Sequence, residues 1–324
     1  MFRSIWEDIK REFSYGNMVT RLVIINVMVF IAVNLVWVVL QIGNGYKTSP
    51  FYTEFLSFFA MSSYWLDVLI HPWALITSMF LHEGFFHILF NMLLLYWFGR
   101  IIGDLLGDHR VLPLYLLAGL AGNVVYFITA NLILNYGSGS IAYGASGAVM
   151  GVVIAAAVLA PEMEMRLLLL GNVKLKYIAA GLLLIDIIGI GGMNNTGGHF
   201  AHLGGAAFGW FFIRRLQSGD DLSAPVNNFL HKIREFFRGL GQDRGQKKGR
   251  GPRVAYRNPN NKAQANKPPQ NRFGRRKSNR TKGKGSPELS HEERVDAILE
   301  KIKESGDENL TEEEKKFLFN ASKK

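Results

Sequence analysis

The run from Leu22 to Ile42 contains no charged residue, and as a helix it is about 30 Å long, the depth of a bilayer core. Inside hydrocarbon every backbone polar group must be paired within the protein, so helices and closed barrels are the available folds. A continuous apolar run of this length, without strand-like alternation, specifies a helix. Further runs give spans near 21–42, 76–102, 111–134, 146–161, 174–191 and 200–215. The chain therefore reads as an all-α polytopic membrane protein with six transmembrane helices. The fourth run is short, at about 16 residues. That length suits a helix that starts below the membrane surface, under non-helical backbone enclosed by protein or facing a water-filled cavity.

Charge divides the chain unevenly. Of its 324 residues, 1–213 hold 10 Lys/Arg and 11 Asp/Glu, and 214–324 hold 27 and 15. The body is nearly neutral at −1, and the tail carries +12. Basic residues also set orientation. Arg3, Lys10, Arg11, Arg21, Arg100, Arg110, Arg166, Lys174, Lys176, Arg214 and Arg215 fall on one side of the six spans, and only Lys47 falls on the other. Both termini are expected in the cytoplasm, in a bacterial inner membrane. The first apolar run is too long for a signal-peptide core, and residues 1–20 mix acids with bases, unlike an organelle presequence. Cysteine is absent, which excludes thiolate catalysis, disulfides and Cys-based zinc sites.

The expected organisation is a cytoplasmic N-terminus over 1–17, a six-span domain over 18–216 and an amphipathic juxtamembrane segment over 217–243. A disordered basic linker over 244–286 and a small helical hairpin over 287–324 complete it. The segment 43–75 is rich in Phe, Trp and Leu and reads as an interfacial stretch that also has the means to brace neighbouring helices. Between 225 and 240, Phe229, Leu230, Ile233, Phe236 and Phe237 recur at helical spacing among basic residues, the pattern of a helix lying in the interface. Residues 244–284 hold 15 Lys/Arg and no acid. Tethered to a membrane, with only Tyr256 and Phe273 as aromatics, this stretch is expected to meet anionic lipid, at about 1 kcal/mol per basic residue near the surface. No specific nucleic acid is expected. In the last segment Leu310-Thr311-Glu312-Glu313-Glu314 has the form of a hydrophobic staple and a capping box.

The chemistry-bearing residues stand out because hydroxyl and imidazole groups at membrane depth are costly unless they serve a purpose. Ser146 opens the fourth span within Gly144-Ala145-Ser146-Gly147, and Gly147, Gly151 and Ala155 recur every fourth position below it. His202 shares a helix face with Gly205 and Gly209 in the sixth span. Two stripes of small residues allow close helix contact, which would bring Ser146 and His202 together near the outer end. A hydroxyl beside a base is the arrangement of nucleophilic catalysis. The free N–H groups at the start of the Ser146 helix suit an oxyanion. Each residue also has a plain reading, as a packing serine and as a polar helix contact. Asp186 reads either as a gate or substrate contact or as an acid bonded within the bundle, and a Ser/His dyad is favoured over a triad. In the second span His87 and Asn91 are i,i+4 and share one face, where two donors suit a developing negative charge. His82 and His87 are five residues apart, so the two-histidine face of a zinc-protease helix fails, and His82 is expected to be structural. No cofactor or metal is expected.

Taken in order, Trp73, Phe80-Leu81-His82, His87, Phe90-Asn91, Gly144-x-Ser146-Gly147 and Ala201-His202-x-x-Gly205-x-x-x-Gly209 resemble the rhomboid intramembrane serine proteases. The resemblance covers about residues 18–216. It implies a six-helix rhomboid bundle with Ser146 as nucleophile and His202 as general base. It implies an oxyanion hole formed by Asn91, His87 and the Ser146 N–H, with His82 bracing the first loop. Departures are Ala74 in place of a frequent Arg, Met150 in place of an aromatic, and Asp104 in place of a Glu. The implied activity is endopeptidase cleavage of transmembrane segments in single-pass or polytopic membrane proteins. The alternatives are a catalytically silent rhomboid-like client-binding protein and a transporter. Retention of both Ser146 and His202 disfavours the first, and the absence of an inverted repeat disfavours the second.

Overall fold

The structure is a computed structural model describing residues 2–45, 49–133, 139–168, 170–192, 195–241, 298, 301 and 310–321. The basic stretch 244–286 lies outside the described residues. The chain divides into two units, Met1–Gly249 and Arg250–Lys324.

The first unit is mostly helical. Helix α1 (Phe2–Tyr15) precedes α2 (Met18–Gly43). Asn17 caps α2 by accepting from the Thr20 N–H at 2.9 Å, and Asp108 Oδ1 accepts from the Met18 N–H at 2.7 Å. Both contacts satisfy donors that a helix start leaves open. The segment that follows folds as α3 (Pro50–Phe59), β1 (Met61–Ser62), α4 (Trp65–Ile70) and α5 (Ala74–Thr77), then a single 3₁₀ turn over Ser78–Phe80. Then come α6 (Phe85–Leu106) and α7 (Val111–Leu132). Strand β2 (Ile141–Ala142) leads into α8 (Ser146–Leu159). A hairpin of β3 (Glu164–Leu167) and β4 (Gly171–Lys174) leads into α9 (Leu175–Gly191), followed by α10 (Thr196–Gln217) and α11 (Ser223–Gly241).

By length and composition α2, α6 and the helical stretch Asp108–Leu132 suffice to cross a membrane, and α8 is a shorter apolar helix. The chain is an integral membrane protein, as the exposure of Ile31, Leu35, Val39, Phe86, Phe90, Ile185 and Ile188 along its helices also requires. The second apolar run departs from the sequence reading. The long helix starts at Phe85 rather than at 76, after the short α5 and the 3₁₀ turn, and residues 81–84 are irregular backbone. Tertiary hydrogen bonds account for this. Asn123 of α7 donates to the Leu75 carbonyl at 2.9 Å and to Ser78 Oγ at 3.0 Å, and the Tyr115 hydroxyl donates to the Met79 carbonyl at 2.8 Å. These bonds hold a broken helix against the bundle, where its apolar residues Ala74, Met79 and Leu81 are buried without a continuous helix.

Two short antiparallel ribbons also depart from the all-α expectation. In one, Met61 pairs with Ala142 and Ser62 with Ile141, so the 43–75 segment is stitched to the backbone just before Ser146. In the other, β3 pairs with β4 in the connection between α8 and α9. There Lys174 Nζ donates to Glu162 at 2.7 Å and Lys176 also pairs with it. Those two cations hold the Glu162 carboxyl down at about 2.

The core is the packing of α7, α8 and α10. A Cβ on Gly205 would fall 1.9 Å from the Gly147 carbonyl oxygen, and one on Gly209 would fall 2.0 Å from that of Gly151. A Cβ on Gly151 would meet Ala118 Cβ at 2.3 Å, and one on Gly122 would meet the Ala201 carbonyl at 2.8 Å. The three backbones touch, a contact open only to small residues. At the other end of the bundle, Arg110 donates from Nε (3.0 Å) and Nη2 (2.7 Å) to Asp221 Oδ2, tying the entry of α11 to the α6–α7 turn. Helix α11 leaves Phe229, Ile233, Phe236 and Phe237 exposed.

In the second unit, α12 (Glu312–Ala321) starts with a closed capping box. The Glu314 N–H donates to Thr311 Oγ1 at 3.3 Å, and Glu314 Oε2 accepts from the Thr311 N–H at 2.7 Å.

Candidate active site

Ser146 is the first residue of α8 and is half-buried. The backbone before it is shaped by Gly144, whose φ of +129° is rarely open to residues with a side chain. A Cβ there would also fall 2.8 Å from the His87 ring. The Gly144 N–H donates to the Ser78 carbonyl at 2.8 Å, so the Asn123–Ser78 contact reaches the serine through one further bond. The Ala145 N–H donates to His82 Nε2 at 3.3 Å. His82 is fully buried, and its ring meets that of His87 edge-on at 5.0 Å. Glu83 makes a third tie to this backbone. It accepts from the Tyr52 hydroxyl at 2.6 Å and also from the Tyr143 hydroxyl.

A cavity of about 680 Å³ is lined by Ser146, His202, His87, Asn91, Met150 and Asp186, among others. The structure thus brings the four sequence-derived catalytic and oxyanion residues to one space, from α6, α8 and α10. Asn91 is buried and one of its Nδ2 hydrogens goes to the His87 carbonyl, at 2.8 Å. Gly147, Gly205 and Gly209 lie just beneath, in the backbone contact of α8 with α10.

Asp186 carries the main difference from the sequence reading, which favours a dyad. Its Oδ1 lies 2.7 Å from His202 Nδ1 and 2.8 Å from His199 Nδ1, and the residue is only 4% exposed. With the proton on Nδ1, His202 donates to the carboxylate and its Nε2 lone pair is left free to act as a base. The sequence does carry a signal for this. His199 and His202 are i,i+3 and so share a helix face, and Asp186 is the one acid of α9, within the apolar run Leu182–Ile188.

Residues 70–217 match the family described as "Rhomboid domain". Residues 70–217 form a rhomboid domain. The chain is similar to "Rhomboid protease GluP" of Bacillus subtilis, 31% identical over 222 residues, covering 62% of this chain and 39% of that protein. It is also similar to "Presenilin-associated rhomboid-like protein A, mitochondrial" of Danio rerio, 30% identical over 171 residues (51% of this chain, 43% of that one). The human "Presenilin-associated rhomboid-like protein, mitochondrial" is 32% identical over 176 residues, 52% and 44% of the two chains. The aligned part spans less than half the length of each of these relatives. The matched stretch contains every cavity-lining residue discussed above.

Proposed function

We propose that this chain is a serine endopeptidase that cleaves transmembrane segments of membrane-protein substrates. The reading rests above all on Ser146 and His202 lining one cavity while a buried carboxylate holds His202 Nδ1 at 2.7 Å. In this mechanism Ser146 Oγ attacks the scissile carbonyl as His202 Nε2 takes its proton. His202 then returns that proton to the leaving amine, and the acyl-enzyme is hydrolysed by water activated at the same imidazole. Asp186 holds the tautomer and balances the imidazolium, so a Ser–His–Asp relay replaces the dyad of the sequence reading. The Ser146 N–H at the start of α8, with Asn91 and His87, receives the oxyanion. A substrate helix must unwind to expose its peptide bond, so segments interrupted by Gly, Ser or Pro are the expected substrates.

The proposed topology counts α2, α6, α7, α8, α9 and α10 as six spans with both termini on the cytoplasmic side, in the membrane of a bacterial cell. It follows the side bias of Lys and Arg. The chain has no cysteine, so single cysteines placed at Asn44 and Gly219 should react with an impermeant maleimide from opposite faces of oriented vesicles. Labelling of both from one face would overturn the topology. The basic 244–284 stretch is proposed to contact anionic lipid.

The test of the activity uses the full chain reconstituted with single-pass substrates. Cleavage within the substrate helix is expected, together with covalent labelling of Ser146 by a fluorophosphonate. A chain that binds such substrates, cleaves none and takes no label would instead be the silent client-binding protein.

A further inference from the structure

We propose that Asp186, His199 and His202 form a binding site for a divalent transition-metal ion of the zinc class, and that occupancy of this site switches the hydrolase off. The binding half of this proposal stands on geometry alone; the switching half rests on the Ser146/His202 reading.

Hydrolysis leaves one imidazole unexplained. An orienting carboxylate serves a single base, yet Asp186 Oδ1 is approached by two Nδ1 atoms, at 2.7 and 2.8 Å. The ligand atoms of Asp186, His199 and His202 all lie within 4.8 Å of one another. The carboxylate is buried and both rings are half-buried on the cavity wall. The ring of His199 is also seated. It fills the notch over Gly189 of α9, where a Cβ would fall 2.3 Å from Nε2 and 2.4 Å from Cε1. With the ring seated there, Nδ1 meets Asp186, which lies one turn before Gly189 on the same helix. Three donors are thus arranged in advance beside a cavity that has room for a water as fourth ligand.

The donor set decides the class of ion. Two imidazoles with one carboxylate suit zinc, cobalt, nickel or copper, whereas magnesium and calcium take oxygen shells. The chemistry then follows from the tautomer. A neutral imidazole carries one proton. When a metal takes Nδ1 of His202, that proton is given up to water and Nε2 takes one from water, so the ring stays neutral. Nε2 becomes a donor and loses the lone pair that would receive the Ser146 proton. The metal therefore acts as an inhibitor here, with no part in the reaction.

The experiment uses the full chain in detergent with Co²⁺ as the spectroscopic probe and Zn²⁺ as competitor. In a Ser146→Ala background, Co²⁺ should give visible d–d bands at one equivalent, and Zn²⁺ should abolish them. Asp186→Asn and His199→Gln should each weaken binding roughly tenfold or more. Gly189→Ala removes no ligand and touches no catalytic group. It should displace His199, weaken Co²⁺ binding and leave basal cleavage unchanged, with Zn²⁺ sensitivity reduced. In the active chain Zn²⁺ should inhibit over the concentration range in which it displaces Co²⁺, and chelation should restore activity. Absence of Co²⁺ bands, or binding that survives both ligand substitutions, would overturn the site. Inhibition by Zn²⁺ that is unaltered in both His199→Gln and Gly189→Ala would overturn the switch. A chain that binds Co²⁺ through these ligands but cleaves nothing would sink the hydrolase reading and leave the metal site standing.

Discussion

Ser146→Ala and His202→Ala are each expected to lower cleavage of a transmembrane substrate by about a thousandfold or more, and the double variant by no more than either alone. In the proposed mechanism the Ser146 hydroxyl and the His202 imidazole act as one device. Without the hydroxyl the imidazole has no proton to take, and without the imidazole the hydroxyl stays protonated and weakly nucleophilic. Cleavage rates of the two single variants and the double variant, measured in one proteoliposome preparation, check this. Multiplicative losses would mean that the two residues act independently, and full activity in Ser146→Ala would remove the nucleophile from the scheme. Neither substitution should disturb the fold, because neither residue belongs to the tightest backbone contacts of α8 with α10.

Those contacts carry the second large effect. Gly205→Val and Gly209→Val are expected to abolish a stable fold, seen as a collapsed thermal-aggregation midpoint in detergent and no recoverable activity. A Cβ alone would enter 1.9 Å and 2.0 Å from carbonyl oxygens of α8. Ordinary overpacking costs about 1–3 kcal/mol when side chains give way. Here the obstacle is backbone on both sides, so the helices must separate. Gly181→Ala in α9 is the control. A Cβ there would meet nothing within 4 Å, and Ala favours a helix by about 1 kcal/mol over Gly. Equal midpoints for Gly205→Val and the control would show that the close approach is not what holds the bundle.

These glycines also show what the sequence displays. The stripes Gly147/Gly151 and Gly205/Gly209 are periodic, and periodicity is local information, so the approach of α8 to α10 was readable without coordinates. The runs that became α2, α7, α8, α9 and α10 were readable for the same reason. Residues 76–84 were not. Their hydropathy matches a span, but Asn123 and Tyr115, far along the chain, take the backbone bonds that break the helix. The two-residue strands β1 and β2 are too short for any period to show. Asp186 was visible as an oddity, but its partnership with His202 depends on how α9 turns against α10, and a small-residue pattern does not record that angle.

The contact of α7, α8 and α10 has a mechanical consequence. Bare backbones in register leave no rotamers to relax, so these helices transmit displacement as one body. Ser146 is rooted in one of them and His202 in another. Bending of the surrounding lipid, heat, or the push of an entering substrate should be absorbed by elements outside this slab, while the spacing between proton donor and acceptor is preserved. Entry and chemistry are then governed by separate parts of the molecule, so changes in bilayer thickness should alter how often a substrate arrives and leave the bond-breaking rate of a seated one the same.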